Sequence, residues 1–333
     1  LVAYDVTTTA LVSSDQTEDV VLLALTDADL SRWGWPLPDD KLARLVEASL
    51  ELGAKSVGVD IYRDVPVGDG RAELLRALQD PRVVTISKLA GSEGHSIAAP
   101  QGVRSGFADV PLDPDGVARR ALLLVNTDAG LAMSFPLQLA MHHTGQDALR
   151  PVPDKPDVLA FGGTAVPALT PTFGPYQTID ASGYQIMTQH RHALPIAPRV
   201  TAEEALSGAA LLQDKIVLIG LTSHSVKDYF STPLNRRTGA DFAFGADIHA
   251  AVAQQLIDHT RNGLPPLREL SNASESILTL LAACAGAIAA MMLRGTVVAV
   301  CVWAAGAFIL AVGHAATQQM AIVLPTVPAT LAW

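Results

Sequence analysis

The sequence predicts an α/β domain with a mostly parallel sheet, followed by a transmembrane helical region. Three observations carry that prediction. Short Val- and Leu-rich runs alternate with helical patterns through residues 1–270, as expected of strands buried on both faces of a sheet. Every acidic residue lies at or before Glu275. Three uncharged apolar runs then follow, at 276–293, 296–317 and 320–333. The first would make roughly 27 Å of helix, close to the thickness of a bilayer core. Three consecutive helices apolar on every face are foreign to a soluble core of this size.

The charge balance narrows the partners. All 33 acidic residues but only 22 of the 23 basic ones lie in the first 275 positions, a net charge of −11 for that region. Phosphate recognition needs a basic footprint, so no nucleic-acid partner is expected. Cys284 and Cys301 both sit in the apolar runs, leaving the first 275 residues without a disulfide or a thiolate metal site.

Residues 19–26 are a buried strand. Residues 31–38 hold two Trp, one Gly and two Pro, the composition of a rigid aromatic loop. Asp39 can cap a helix over 40–52, with Leu42, Leu45, Val46 and Leu50 on its apolar face. Residues 56–61 form the next strand, making a right-handed parallel βαβ unit with the first. A helix at 73–78 and a strand at 83–86 follow. Residues 91–102 show no periodicity. The segments 103–110 and 117–126 look like a hairpin closed at Asp115-Gly116. A helix covers 131–142 and a strand 158–161. The Pro- and Gly-rich stretch up to Pro175 leaves open a split into two lobes. Thr201 and Glu204 have capping-box spacing. Residues 216–219 are a parallel-type strand ending at Gly220, and the last helix of the region covers 246–259.

The single charge beyond Glu275, Arg294, lies in the short turn between the first two apolar runs. The positive-inside rule places that turn in the cytoplasm and residues 1–275 outside it. An exported domain needs an export signal. The N-terminal residues show no basic segment followed by an apolar run, so a further membrane helix is expected upstream of Leu1. The third helix, 320–333, is expected to be cut short. The protein is therefore expected to be multi-pass in a bacterial inner membrane.

Three acids close strands: Asp27, Asp60 and Asp109. The carboxyl ends of parallel strands line the crevice where ligands bind. Clustered carboxylates there could hold a divalent ion, or serve as caps and turn acceptors. Trp33 and Trp35 could cover the sheet mouth or meet a second subunit. Asp228 lies in a loop after the late strand, and His249 lies just inside a helix N-terminus. These four are the candidates for ligand sensing or dimer contact. Residues 113–116 lack the spacing of a calcium loop and read as a turn. No phosphate loop and no nucleophile elbow is present, so no catalytic residue is assigned to the segment.

Several elements in order resemble CHASE2, a sensory domain family of bacterial membrane receptors. These are Thr26-Asp27-Ala28-Asp29 with Trp33-Gly34-Trp35-Pro36, Gly53-Ala54-Lys55 leading to Val59-Asp60-Ile61, and Asp113-Pro114-Asp115-Gly116 followed by Arg119. Lys215 to Gly220, Asp228 to Pro233, and Gly245-Ala246-Asp247-Ile248-His249-Ala250 complete the set, with Asp247 where the family commonly has Glu. The resemblance implies an extracytoplasmic sensor at 1–270, flanked by membrane helices and joined to a cytoplasmic nucleotide cyclase, histidine kinase or Ser/Thr kinase. It implies no cofactor in this segment. Mg or Mn with ATP or GTP would belong to a cyclase domain elsewhere. The implied partners are the lipid bilayer, a second copy in a homodimer and an unknown extracytoplasmic ligand. A ligand-free dimerisation module and a metal-dependent envelope hydrolase are the competing expectations.

Overall fold

The computed structural model describes residues 1–10, 12–90, 95–239, 242–292, 296–319 and 321–323. The chain forms two compact units. The larger comprises Ser13–Ala168 and Ser182–Leu264, and the smaller Leu1–Val12, Leu169–Ala181 and Pro265–Trp333. The Pro- and Gly-rich stretch is thus where the chain passes from one unit to the other.

The larger unit is built on a six-stranded sheet. Its spatial order is Arg199–Thr201, Val20–Leu25, Ile216–Leu221, Ser56–Val59, Val83–Ser87 and Ser105–Phe107, every pairing parallel. The two central apolar strands, Val20–Leu25 and Ile216–Leu221, are buried at every position. Alternation divides them between two cores. Val21, Leu23 and Leu25 join Leu42, Leu45 and Leu74 from helices Asp39–Glu51 and Arg71–Leu78. Val20, Leu22 and Ala24 join Leu139 and Leu256 from helices Phe135–Thr144 and Gly245–Arg261. The expected first βαβ unit is parallel, but its two strands are not neighbours. The late strand Ile216–Leu221 lies between them.

Strand glycines set how closely the helices approach. A Cβ on Gly58 would lie 2.8 Å from the Phe135 ring, and one on Gly106 would lie 2.5 Å from the Phe135 backbone nitrogen. A Cβ on Gly220 would stand 2.6 Å from that of Ala246. Bare backbone at these points lets both helices sit directly on the sheet.

Other expectations are corrected. Segments 103–110 and 117–126 do not form a hairpin with each other. Ser105–Phe107 is the edge of the parallel sheet, while Arg120–Thr127 pairs antiparallel with Gly130–Met133 and Tyr184–Met187. The Asp115-Gly116 turn closes only locally: Gly116 N donates to Asp113 O, and Asp113 N to Val117 O. The hairpin tip is Asp128-Ala129, so a strand occupies the start of the expected 131–142 helix, which begins at Phe135. Part of the expected loop is helical. Asp27–Trp33 is held by a capping box in which Asp29 Oδ2 accepts from Thr26 N at 2.9 Å and from its hydroxyl at 2.7 Å. Asp39 is inside its helix and is fully buried against Arg63, at 3.2 Å. Thr201 caps Ala202–Leu206 through the expected box with Glu204.

The smaller unit contains helices Val2–Ala10, Asn272–Met292 and Thr296–Gln319. The first two apolar runs are therefore helical. Among the described residues, no helix is long and apolar enough to cross a membrane. Arg294 lies outside the described residues. In the third run Ile322–Val323 form a strand rather than a helix, pairing in parallel with Arg268–Glu269, and 320 and 324–333 lie outside the described residues. Glu269 fastens the loop of this unit by accepting from the Thr170 hydroxyl at 3.1 Å and from Gly174 N at 3.3 Å.

Candidate functional site

The carboxyl ends of the parallel strands open onto a cavity of about 610 Å³. Four of the six strands contribute residues at or shortly past their ends. Ser56–Val59 delivers Asp60, Ile61 and Tyr62; Val83–Ser87 delivers Ile86 and Lys88; Ser105–Phe107 delivers Ala108 and Asp109; Ile216–Leu221 delivers Leu221. The loop after Leu221 returns Val226, Asp228 and Phe230, and the start of the last helix supplies Gly245 and His249. Trp35, 43% exposed, also lines the cavity, with Pro36, Val65 and Val67.

Local geometry explains why these groups meet. Gly220 lets Ala246 approach the sheet, and His249, one turn later, reaches over the end of the neighbouring strand. Its Nε2 lies 3.9 Å from Asp60 Oδ1. The Phe135 ring packs edge-on against the imidazole at 5.3 Å between centroids. Asp228 lies across Gly245: a Cβ there would be 2.7 Å from its Oδ2. The Gly245 backbone N–H donates to the Asp228 carbonyl at 3.2 Å. A side chain at 245 would evict the Asp228 carboxylate from the helix N-terminus, where a negative charge is favoured.

Burial controls protonation. It pushes the Asp60 carboxyl up to about 7, and Oδ2 of this residue is buried without a hydrogen-bond partner. Asp228 is pushed up to about 6, first by burial, then by the nearby Asp60 charge, with His249 opposing. His249 is driven down to about 4 by burial, against the pull of Asp228 and Asp109. Tyr62 rises to about 12 through burial and the charges of Asp109, Asp60 and Asp228. At neutral pH the imidazole is therefore neutral, Asp228 is largely ionised and Asp60 is near its midpoint.

Of the sequence candidates, Asp60, Asp109, Asp228, His249 and Trp35 come together here. Asp27 does not. It opens a helix on the surface, and its Oδ1 accepts from the Ser223 hydroxyl at 2.5 Å and the Ser225 hydroxyl at 2.6 Å, which holds its carboxyl below the usual range. Trp33 is half-buried against the core beside the Arg32 guanidinium. Among the described residues no three His, Cys, Asp or Glu side chains are grouped to hold a metal ion. Asp27, Asp60 and Asp109 are thus not a ligand set. Tyr62 and Lys88 were not among the candidates, although they too lie within three residues past a strand end, the signal that marked Asp60 and Asp109.

A second polar cluster has a structural role. Arg119, fully buried, donates to Asp113 at 2.7 Å and to both Asp115 oxygens at 2.9 Å. Arg120 donates to the other Asp113 oxygen at 2.8 Å and to Gln185 at 2.6 Å, and Arg236 reaches Asp115 from outside. Two buried arginines and a buried aspartate lock the turn onto the antiparallel sheet. His142 bonds the Ser56 hydroxyl and His143 the Asp19 carboxylate, both as packing groups.

Residues 1–289 match the model of the CHASE2 domain. No curated protein and no solved structure matches the chain.

Proposed function

The chain belongs to the CHASE2 family of extracytoplasmic sensor domains, and on that premise we propose that the strand-end cavity is the input site of a bacterial membrane receptor with a nucleotide cyclase output. The observation that carries the sensing role is the cavity itself. It is open, mixed in polarity and of a size that holds a small molecule. A module serving only for dimerisation has no need of such a chamber. A metal-dependent hydrolase is disfavoured by the absence of a grouped donor set among the described residues.

The membrane role rests on residues 276–333. Large apolar side chains stand exposed along both long helices, including Leu280, Leu281, Met291, Phe308 and Ile309. An apolar belt of this extent asks for lipid rather than water. The topology proposed is a bacterial inner-membrane protein with Arg294 on the inside and the sensor outside, working as a homodimer. Ligand occupancy biases two arrangements of sensor and helices, and the bias is read in the cytoplasm.

The test is cyclic nucleotide production by membranes carrying the full-length polypeptide, with ATP and GTP supplied separately. Product from either nucleotide, altered by Asp228→Asn and not by the exposed control Glu73→Gln, supports the reading. Phosphotransfer without cyclisation moves the output to a kinase. Output that ignores every cavity substitution in folded protein overturns the sensing role.

A further inference from the structure

Among the described residues, the acids lining the cavity outnumber the basic groups left to match them. Asp60, Asp109 and Asp228 line it, and the exposed Asp64 stands at its edge. Its two basic lining residues are Arg63 and Lys88. The Arg63 guanidinium is committed elsewhere: it pairs with Asp39 at 3.2 Å and donates to the carbonyls of Leu37 and Tyr62 at 2.6 and 2.8 Å. Lys88 is exposed. At the base, Asp60 is only 8% exposed and its Oδ2 has no hydrogen-bond partner. A buried acceptor left unsatisfied is costly, and a ligand donor would relieve it. The walls above are aromatic and aliphatic, with Trp35, Tyr62, Phe230, Ile86 and Leu221.

We propose that the cavity binds a small organic cation, a protonated amine whose ammonium group donates to Asp60 and Asp228 while its apolar portion packs against Trp35 and Phe230. This rests on the reading of the cavity as the input site. An anionic ligand would meet three carboxylates. A neutral polar ligand would leave the ionised Asp228 uncompensated. A bare metal ion would find no grouped donor set among the described residues. An ammonium group satisfies the orphaned oxygen and the charge together, and aromatic faces favour a cation beside them.

Binding is also linked to protons. Asp60 is faced by His249, Tyr62, Asp109 and Asp228, with Lys88 also in the lining. An entering cation favours the ionised carboxylates over the protonated ones. It therefore expels protons that Asp60 and Asp228 hold below about pH 7 and about pH 6. His249 stays neutral until about pH 4 and does not compete above that. Affinity should rise with pH from 5 to 8.

The test is calorimetric titration of the full chain in nanodiscs, with empty nanodiscs as the blank. The probes are two matched sets differing only in head group: 2-phenylethylammonium, 2-phenylethanol and 3-phenylpropanoate; and 3-methylbutylammonium, 3-methylbutanol and 4-methylpentanoate. The expected result is that at least one ammonium binds about tenfold or more tighter than its alcohol, with the carboxylate weakest. Lowering the pH from 7.5 to 5 should weaken the ammonium about tenfold. Asp60→Asn and Asp228→Asn should each do the same at pH 7.5, with Glu73→Gln unchanged. Asp228 lies in a loop, so its variant keeps the test sound if Asp60→Asn fails to fold. Alcohol binding equal to ammonium overturns the amine inference and leaves the cavity as a ligand site. No ammonium binding to folded protein overturns the inference as well. If, in addition, cavity substitutions leave receptor output unchanged, the input-site reading falls with it.

Discussion

Asp60 should make the larger unit less stable as the pH rises, and removing its charge should abolish that slope. Its folded-state carboxyl titrates near 7 instead of 3.8 because it is buried. Well below pH 3.8 folded and unfolded chains both hold the proton, and the residue's contribution is fully present. Between 3.8 and about 7 the unfolded chain releases the proton and the folded one retains it, so stability falls. The loss is about 1.4 kcal/mol per pH unit, or ~4 kcal/mol in total once the pH passes the folded value. Asp60→Asn keeps the shape without the charge. Relative to wild type it should gain about 3 kcal/mol between pH 5 and pH 8, since the slope acts over roughly two of those units. At roughly 2–4 °C per kcal/mol for a unit of this size, the melting temperatures should diverge by about 6–12 °C. The assay is thermal unfolding of both proteins at pH 5, 6, 7 and 8. Asp228 titrates in both, and the part of its upward shift that comes from the Asp60 charge is lost in the variant, which widens the divergence in the same direction. A constant offset between the two melting curves across that range would refute the reasoning, because any packing defect of the amide is independent of pH.

Arg119→Met takes an arginine partner from the buried Asp113 and the inner partner from Asp115; a loss of about 3 kcal/mol is expected in urea unfolding, and a loss below about 1 kcal/mol would show that the cluster is not holding the turn. Gly220→Ala should cost about 1–3 kcal/mol through its clash with Ala246, and the double variant with Ala246→Gly should recover most of it; strict additivity would deny that the two positions touch. His249 has the opposite sign from Asp60. Its neutral buried ring contributes stability that is lost as the pH falls from 6.5 toward about 4, roughly 3 kcal/mol in total, so His249→Gln should flatten acid unfolding over that window, and an unchanged acid midpoint would count against it.

Much of the fold was legible because the strands are buried on both faces. Val20–Leu25 and Ile216–Leu221 are short continuous apolar runs, buried at every position. Spatial order was not legible. No local pattern tells the strand at 216–221 to insert between those at 20–25 and 56–59; that order comes from both faces of the sheet needing cover. The misplaced hairpin has a similar cause. Asp115-Gly116 is a good turn wherever it occurs, but the buried Arg119 and Arg120 side chains turn that segment toward Asp113 and Gln185, into a different sheet. The helix at 27–33 is hidden in the sequence because its signal, the Thr26–Asp29 box, sits directly against a strand end, where acids also mark a crevice.

The site was legible one residue at a time and not as a chemical environment. Asp60 and Asp109 obey the rule that parallel strands deliver their next residues to one edge. The same rule applied to Asp27 fails because a helix begins there and two serines of a distant loop claim the carboxylate. The charge of the cavity was not legible at all. Arg63 follows Asp60 by three positions and also lines the cavity. In the fold the guanidinium turns away to Asp39, a residue expected only to cap a helix. Asp39 is fully buried and Arg63 nearly so, so neither can leave the other without stranding a charge. That pair takes the buried Arg63 of the cavity lining away from Asp60. The acidity of the cavity is therefore fixed from outside it, by an aspartate that does not line it, and the lining residues alone would understate the cavity's demand for a cation.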